Sequence, residues 1–135
     1  MRAPERAKFP PWGRLKVPTV AVIGASLDPK KFGNKAVRAY VRQGWKVIPV
    51  HPTAPAVEGL IAVSSLDDIH EPVDRISLYV PPSIGITLLS AIRRKAPKEL
   101  WVNPGAESDE LIARAEELGL DPINACSIID IGERP

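Results

Sequence analysis

The chain has 135 residues, which suits one domain of ordinary size. A chain of this length buries roughly 65–70% of its unfolded surface, so it needs no disulfide or metal to hold it. Its formal net charge of +2, with 44% hydrophobic and 25% charged residues, is that of a soluble globular protein. No nucleic-acid partner is expected, because counterion release needs a clustered basic face. A single cysteine, Cys126, excludes an internal disulfide framework and a cysteine-rich zinc site, and fits a reducing cytoplasm. No apolar run reaches about 18 residues, so no membrane span is expected. The N-terminus lacks the apolar core of a signal peptide.

Residues 1–16 read as a basic, proline-containing arm, in which Pro10-Pro11 prevents a helix. A second reading makes this arm a clasp for a partner or a second copy. Residues 17–135 read as one domain. Thr19 to Ile23 is a short apolar run ending at Gly24, as expected of a strand buried on both faces. A glycine-containing loop leads to a predicted helix over Asn34 to Gln43, with Val37, Tyr40 and Val41 on one face and Gly44 closing it. Lys46 to Val50 is the second strand. Pro49 cannot donate a ladder hydrogen bond, so one side is unpaired there. Residues 51–63 read as a loop with room for a short strand or turn. Ser64 or Ser65 is placed to cap a short helix carrying Leu66 and Ile69.

Arg75 to Val80 is the third predicted strand, ended by Pro81-Pro82. Ser83 is expected to cap a helix whose face is Ile84, Leu88, Leu89 and Ile92. Lys98 to Asn103 is the fourth strand. Ser108 caps a helix bearing Leu111, Ile112, Ala115 and Leu118, closed by Gly119. Asp121 to Ala125 is the fifth strand. Short apolar runs alternating with amphipathic helices predict an α/β, Rossmann-like fold with three layers. A parallel sheet of about five strands carries helices on both faces. Ligands of such sheets bind beyond the carboxyl ends of the strands, where strand order reverses.

At that end lies Gly24-Ala25-Ser26, followed by Lys30, Lys31, Phe32, Gly33 and Asn34. A glycine turn before a helix start offers free N–H groups to a phosphate. Ser26 adds a hydroxyl, and Lys30, Lys31 and Lys35 add positive charge. The glycines are nine residues apart rather than in the G-x-G-x-x-G pattern, and no Walker A lysine is present. The second strand ends in Val50-His51-Pro52, with no acid to hold nicotinamide-cofactor ribose hydroxyls. Val80-Pro81-Pro82 forms a stiff apolar lip suited to an adenine or a pantetheine arm. Asn103, before Pro104-Gly105, either meets the ligand or ties down its own turn.

These segments, in this order, resemble the CoA-binding domain family, related to the N-terminal nucleotide-binding domain of the succinyl-CoA synthetase alpha subunit. The matching pieces are Val22 to Ser26 with Pro29 and Gly33, Gly44 to Pro52, Pro81 to Ser83, Trp101 to Gly105, and Ala125-Cys126. The family usually has Asn where His51 stands, Gln where Asn103 stands, and Arg where Ala125 stands. The resemblance implies coenzyme A as cofactor, with its phosphates on the loop from Gly24 to Asn34. His51 and Pro52 would lie by the adenosine end, and Val80, Pro81 and Pro82 would complete the adenine and pantetheine surface. The ligase's phosphohistidine domain has no counterpart in this sequence.

The expected function is binding of coenzyme A or acyl-CoA without catalysis, with a homodimer or a ligase partner as further expectations. Two alternatives stand beside it: a nucleotide-binding subunit of an acyl-CoA ligase, and a nicotinamide-dependent oxidoreductase. His70, in an acidic stretch, reads as a solvated helix end. Cys126 follows the fifth strand and reads either as a buried structural thiol or as a group near the thiol of CoA.

Overall fold

The run Thr19–Ile23 forms β1, and its burial explains its composition. Val20, Ala21 and Val22 are fully buried because the strand lies inside the sheet with a packed layer on each face. The computed structural model describes residues 16–135. Most of the predicted arm therefore lies outside the described residues. After β1 come α1 (Phe32–Arg42), β2 (Lys46–Val50), a small antiparallel hairpin of β3 (Ala56–Val57) and β4 (Leu60–Ile61), and a 3-10 turn at Leu66–Asp68. The chain continues through β5 (Arg75–Leu78), α2 (Pro82–Lys95), β6 (Glu99–Val102), α3 (Asp109–Glu117), β7 (Pro122–Asn124) and α4 (Ser127–Asp130).

The five main strands are all parallel, in the order β2-β1-β5-β6-β7. This is the α/β, Rossmann-like sheet expected from the alternation of apolar runs and helices. Side-chain alternation divides the core in two. Ala21, Ile23, Ile76 and Leu78 face α2 and α3, where they meet Leu89, Ile92, Leu111 and Ala115. Val20, Val22 and Val47 face α1 and α4, meeting Val37, Tyr40 and Ile128.

Beyond β2 the edge is partly covered. Val63 makes a parallel bridge with Val50, donating to the Pro49 carbonyl at 3.0 Å and accepting from the His51 N–H at 2.9 Å. A residue's N–H and C=O point to the same side of a strand, so the donor that Pro49 lacks faces this outer edge and not β1. The segment at Val63 thus occupies the place of a further strand without forming one.

Several sequence expectations shift. Helix α1 begins at Phe32, not Asn34, and Val41 is half exposed rather than on its buried face. Helix α2 begins at Pro82 with Pro81 at its cap, so Ser83 lies inside the first turn and caps nothing. Proline suits that start because its φ is pre-set and its missing N–H would be unpaired there. Ile84 is exposed, and Gly85 takes the packed position instead. A Cβ on Gly85 would come within 2.7 Å of Leu111 Cδ1, so the glycine lets α2 lie close to α3. Ser65 sits at the cap position of the 3-10 turn, but its hydroxyl donates to the Asp68 carboxylate instead of accepting a backbone N–H. Ser108 does cap α3, accepting from the Leu111 N–H at 3.0 Å.

Candidate functional site

The chain order of the strands reverses between β1 and β5, and a cavity of about 440 Å³ opens there at their carboxyl ends. The loop after β1 contributes Gly24, Ser26, Lys31, Phe32 and Gly33. The loop after β5 contributes Tyr79, Val80 and Pro81, and the loop after β6 contributes Pro104, Gly105 and Ala106.

The nine-residue spacing of the two glycines has a steric cause. A Cβ on Gly33 would lie 2.0 Å from the Gly24 carbonyl oxygen, so the first turn of α1 packs directly onto the end of β1. Gly24 has φ of +89°, and a Cβ there would meet the Tyr79 carbonyl group at 2.8 Å. Together these contacts bring the helix start onto the strand end beside the cavity. No side chain caps α1, and the N–H groups of Phe32 and Gly33 meet no acceptor among the described residues. A helix start left in this way attracts an anion.

The intervening loop is held by its own side chains. Ser26 Oγ accepts from the Asp28 N–H at 3.0 Å, and Asp28 Oδ1 accepts from the Lys30 N–H at 2.9 Å. Asn34 is fully buried, and its Nδ2 donates to the Ser26 carbonyl at 2.9 Å. Arg38 donates to Asn34 Oδ1 and to the Pro29 carbonyl, both at 2.8 Å. Asn34 therefore shapes the loop from beneath instead of facing the opening. Of the loop lysines, Lys31 lines the cavity and Lys30 does not. Lys35 lies 4.9 Å from the centre of the Phe32 ring, which is 54% exposed at the rim.

Ala25 and Asn103 are buried, and Pro52 and Pro82 lie outside the cavity lining. The Asn103 side chain does not tie down its own turn, which is closed by the Ala106 N–H on the Asn103 backbone carbonyl at 2.9 Å. Its Nδ2 donates to Ser77 Oγ at 2.9 Å and the Leu78 carbonyl at 3.0 Å, and its Oδ1 accepts from the Ser127 N–H at 2.8 Å. This amide ties α4 to the sheet below the cavity. His51 Nδ1 accepts from the N–H groups of Thr53 at 3.1 Å and Ala54 at 2.8 Å. The ring nitrogen does what an asparagine oxygen does in an Asx turn, so histidine can stand where the family pattern has asparagine.

Tyr79 is a cavity residue that sequence reading misses, because it looks like the continuation of an apolar strand. It leaves the ladder after its N–H bonds the Ile23 carbonyl at 2.8 Å. Its hydroxyl lies 3.3 Å from Ser127 Oγ, which is 2.7 Å from Ser77 Oγ. Burial pushes the Tyr79 phenol well above its ordinary range, so it stays neutral near pH 7. Cys126 is partly buried and packs against the α1–α4 layer. Among the described residues no group of three His, Cys, Asp or Glu side chains could hold a metal. No described helix is long and apolar enough to cross a membrane.

A family model described as a CoA binding domain matches residues 18–132. The chain belongs to the CoA binding domain family. Within the family's reach, the chain is 32% identical to a conserved hypothetical protein of Pyrococcus furiosus, with a TM-score of 0.78 over 84% of this chain and 98% of that one. It also resembles a dinucleotide-forming acetyl-coenzyme A synthetase of Ca. Korarchaeum cryptofilum, with 28% identity and a TM-score of 0.70, covering 84% of this chain and 27% of the larger one. Among curated proteins, the alpha subunit of the ADP-forming acetate–CoA ligase II of Pyrococcus furiosus is 43% identical over 65 residues, 46% of this chain. The uncharacterized protein YneT of Bacillus subtilis is 35% identical over 60 residues. The matched segments span 44% of YneT and 14% of the ligase subunit.

Proposed function

We propose that this CoA binding domain holds coenzyme A or acyl-CoA at the β1–β5 switch point and performs no chemistry on it. The observation that carries this reading is the uncapped start of α1, packed by Gly33 onto Gly24, beside a cavity that Lys31 enters. That pairing of free N–H groups with a cation suits a pyrophosphate. The mixed surface of Phe32, Val80, Pro81 and Pro104 suits an adenine or pantetheine arm. In this reading Ser26 and Lys31 meet phosphate oxygens, and Lys30 adds charge from the rim. Asn34, His51 and Asn103 hold the loops that do the binding. Ala25, Gly33 and Pro82 set their shape, and Pro52 borders the adenosine end. Coenzyme A would supply a thiol that carries an acyl group. The single cysteine suits a reducing cytoplasm.

Titration of the purified chain tests the reading. At a hundredfold excess over Kd, CoA should add about 2.7 kcal/mol of stability. NAD should add far less, because β2 ends without an acid. Absence of stabilisation by saturating CoA would refute the proposal.

A second reading, as the nucleotide-binding part of a ligase complex, is favoured by the similarity to the ligase alpha subunit. It predicts a stable partner chain in a native pull-down, and a protein that purifies alone from its own cells would contradict it.

A further inference from the structure

The hairpin after β2 carries a residue in a conformation that its side chain resists. Glu58 and Gly59 form the two-residue turn between β3 and β4, with φ of +51° and +78°. Such a turn favours asparagine or glycine at its first position, so a glutamate there is strained. Strain of this kind persists only where the surroundings hold the residue. Glu58 Oε2 accepts from Asn34 Nδ2 at 2.9 Å, and the same nitrogen donates to the Ser26 carbonyl at 2.9 Å. From the other end of the amide, Arg38 Nε donates to Asn34 Oδ1, and Arg38 Nη2 donates to the Pro29 carbonyl, both at 2.8 Å. A carboxylate at the nitrogen and a guanidinium at the oxygen fix the amide plane. A flipped amide would set oxygen against carboxylate and nitrogen against guanidinium. Asn34 is fully buried below the loop, so its amide sets where the Ser26 carbonyl stands. Ser26 in turn lines the cavity, and its Oγ accepts from the Asp28 N–H. Glu58 itself lies outside the cavity lining, and the buried Val57 beside it anchors the hairpin in the α1 layer.

We infer that Glu58 is a positioning residue for the loop between β1 and α1. It acts from the hairpin, through Asn34, on Ser26 and the cavity wall, and it touches no ligand. Its consequence for binding rests on the coenzyme A reading above, whereas its effect on the loop does not.

The test compares the full chain with Glu58→Gly and Glu58→Gln by calorimetric titration with CoA, thermal melting and amide exchange without ligand. Glycine removes the carboxylate but accepts the turn without strain, so this variant should melt within about 3 °C of the parent. Its Asp28 and Lys30 amides, whose acceptors lie within the loop, should exchange several-fold faster. Its Kd for CoA should rise about tenfold, the lower end for losing a hydrogen bond to a charged group. Glu58→Gln keeps an acceptor for Asn34 at the same φ, and should hold exchange and affinity within about threefold of the parent. Parent-like loop exchange in Glu58→Gly overturns the inference, as does unchanged CoA affinity while the loop loosens. A large fall in melting temperature alongside the lost affinity marks a merely structural role and overturns it too. If the parent chain binds no CoA, the coenzyme A reading falls, and loop exchange alone decides the role of Glu58.

Discussion

Gly33 tolerates no side chain, because even a methyl group would sit 2.0 Å from a backbone oxygen that cannot move without β1. Gly33→Ala should therefore push α1 off the strand end. A destabilisation of about 1–3 kcal/mol is expected for such overpacking, with CoA affinity falling at least tenfold. Equilibrium denaturation and titration of the same variant check both. In the proposed coenzyme A site Lys31 would act differently, through charge alone. Lys31→Ala should weaken CoA binding and flatten its salt dependence while leaving the melting temperature within a few degrees, because Lys31 packs no core. Lys30→Ala, one residue away but outside the cavity, should do less.

Arg75 is the largest fully buried side chain, and sequence reading treats it only as the start of a strand. Its guanidinium lies 4.7 Å from the Trp101 ring and 5.0 Å from Trp45, and it pairs with Glu99 and with Asp130 at 3.0 Å. Arg75→Ala should cost about 3 kcal/mol, since it empties the space between two indoles and strands two carboxylates that keep partial access to water. Urea denaturation measures this directly.

The elements owe their positions to a few buried polar ties as much as to apolar faces. Helix α4 has only four residues and would not persist alone. Asn103 holds its first N–H, Ser77 and Tyr79 share the Ser127 hydroxyl, and Ile128 fills the core beneath. Asn103→Ala should cost about 2–4 kcal/mol by leaving several buried groups unpaired, and it should loosen Tyr79 on the cavity side. Faster amide exchange at Ser127 and Ile128 than elsewhere in the sheet is the readout. At the other end of the sheet, Asp74 anchors the start of β1. It accepts from the Thr19 N–H at 2.8 Å and pairs with Lys16 and Lys98. Burial opposes its charge, but the Thr19 hydrogen bond and the two lysines outweigh burial and hold the carboxyl below its ordinary value.

For the whole molecule that depression has a definite sign. A carboxyl whose folded pKa is lowered stabilises the fold above the ordinary range near pH 4, and that stability is lost as pH falls through the folded value. The chain should therefore keep this stability from neutral pH down to about pH 4 and lose it as pH falls further. Asp74→Asn should be less stable than the parent at pH 7 and should converge on it in acid. Denaturation at the two pH values decides this. The same architecture explains why the cavity lies at one end of the sheet. Strand order reverses between β1 and β5, so the α1 and α2 starts part on opposite faces and leave the cavity between them.

The order of the five sheet strands and of α1, α2 and α3, and their approximate limits, were legible in the amino-acid sequence, whereas the β3–β4 hairpin and α4 were not. The legible elements depend on local periodicity and on glycine and proline at turns, which neighbouring residues determine. The loop from Gly24 to Gly33 was legible as a glycine turn leading into a helix start on the same ground. Tertiary structure alone decided which side chains line the cavity. Asn34, His51 and Asn103 look like ligand contacts in sequence because they are polar residues at strand and helix ends. Folding engages Asn34 with Ser26, Glu58 and Arg38, His51 with Thr53 and Ala54, and Asn103 with Ser77, Leu78 and Ser127. Lys31 and Tyr79 reach the cavity because of where α1 and β5 end, and Glu58 reaches the loop across 24 residues of chain from Asn34. Such contacts join segments distant in sequence, so no local pattern records them.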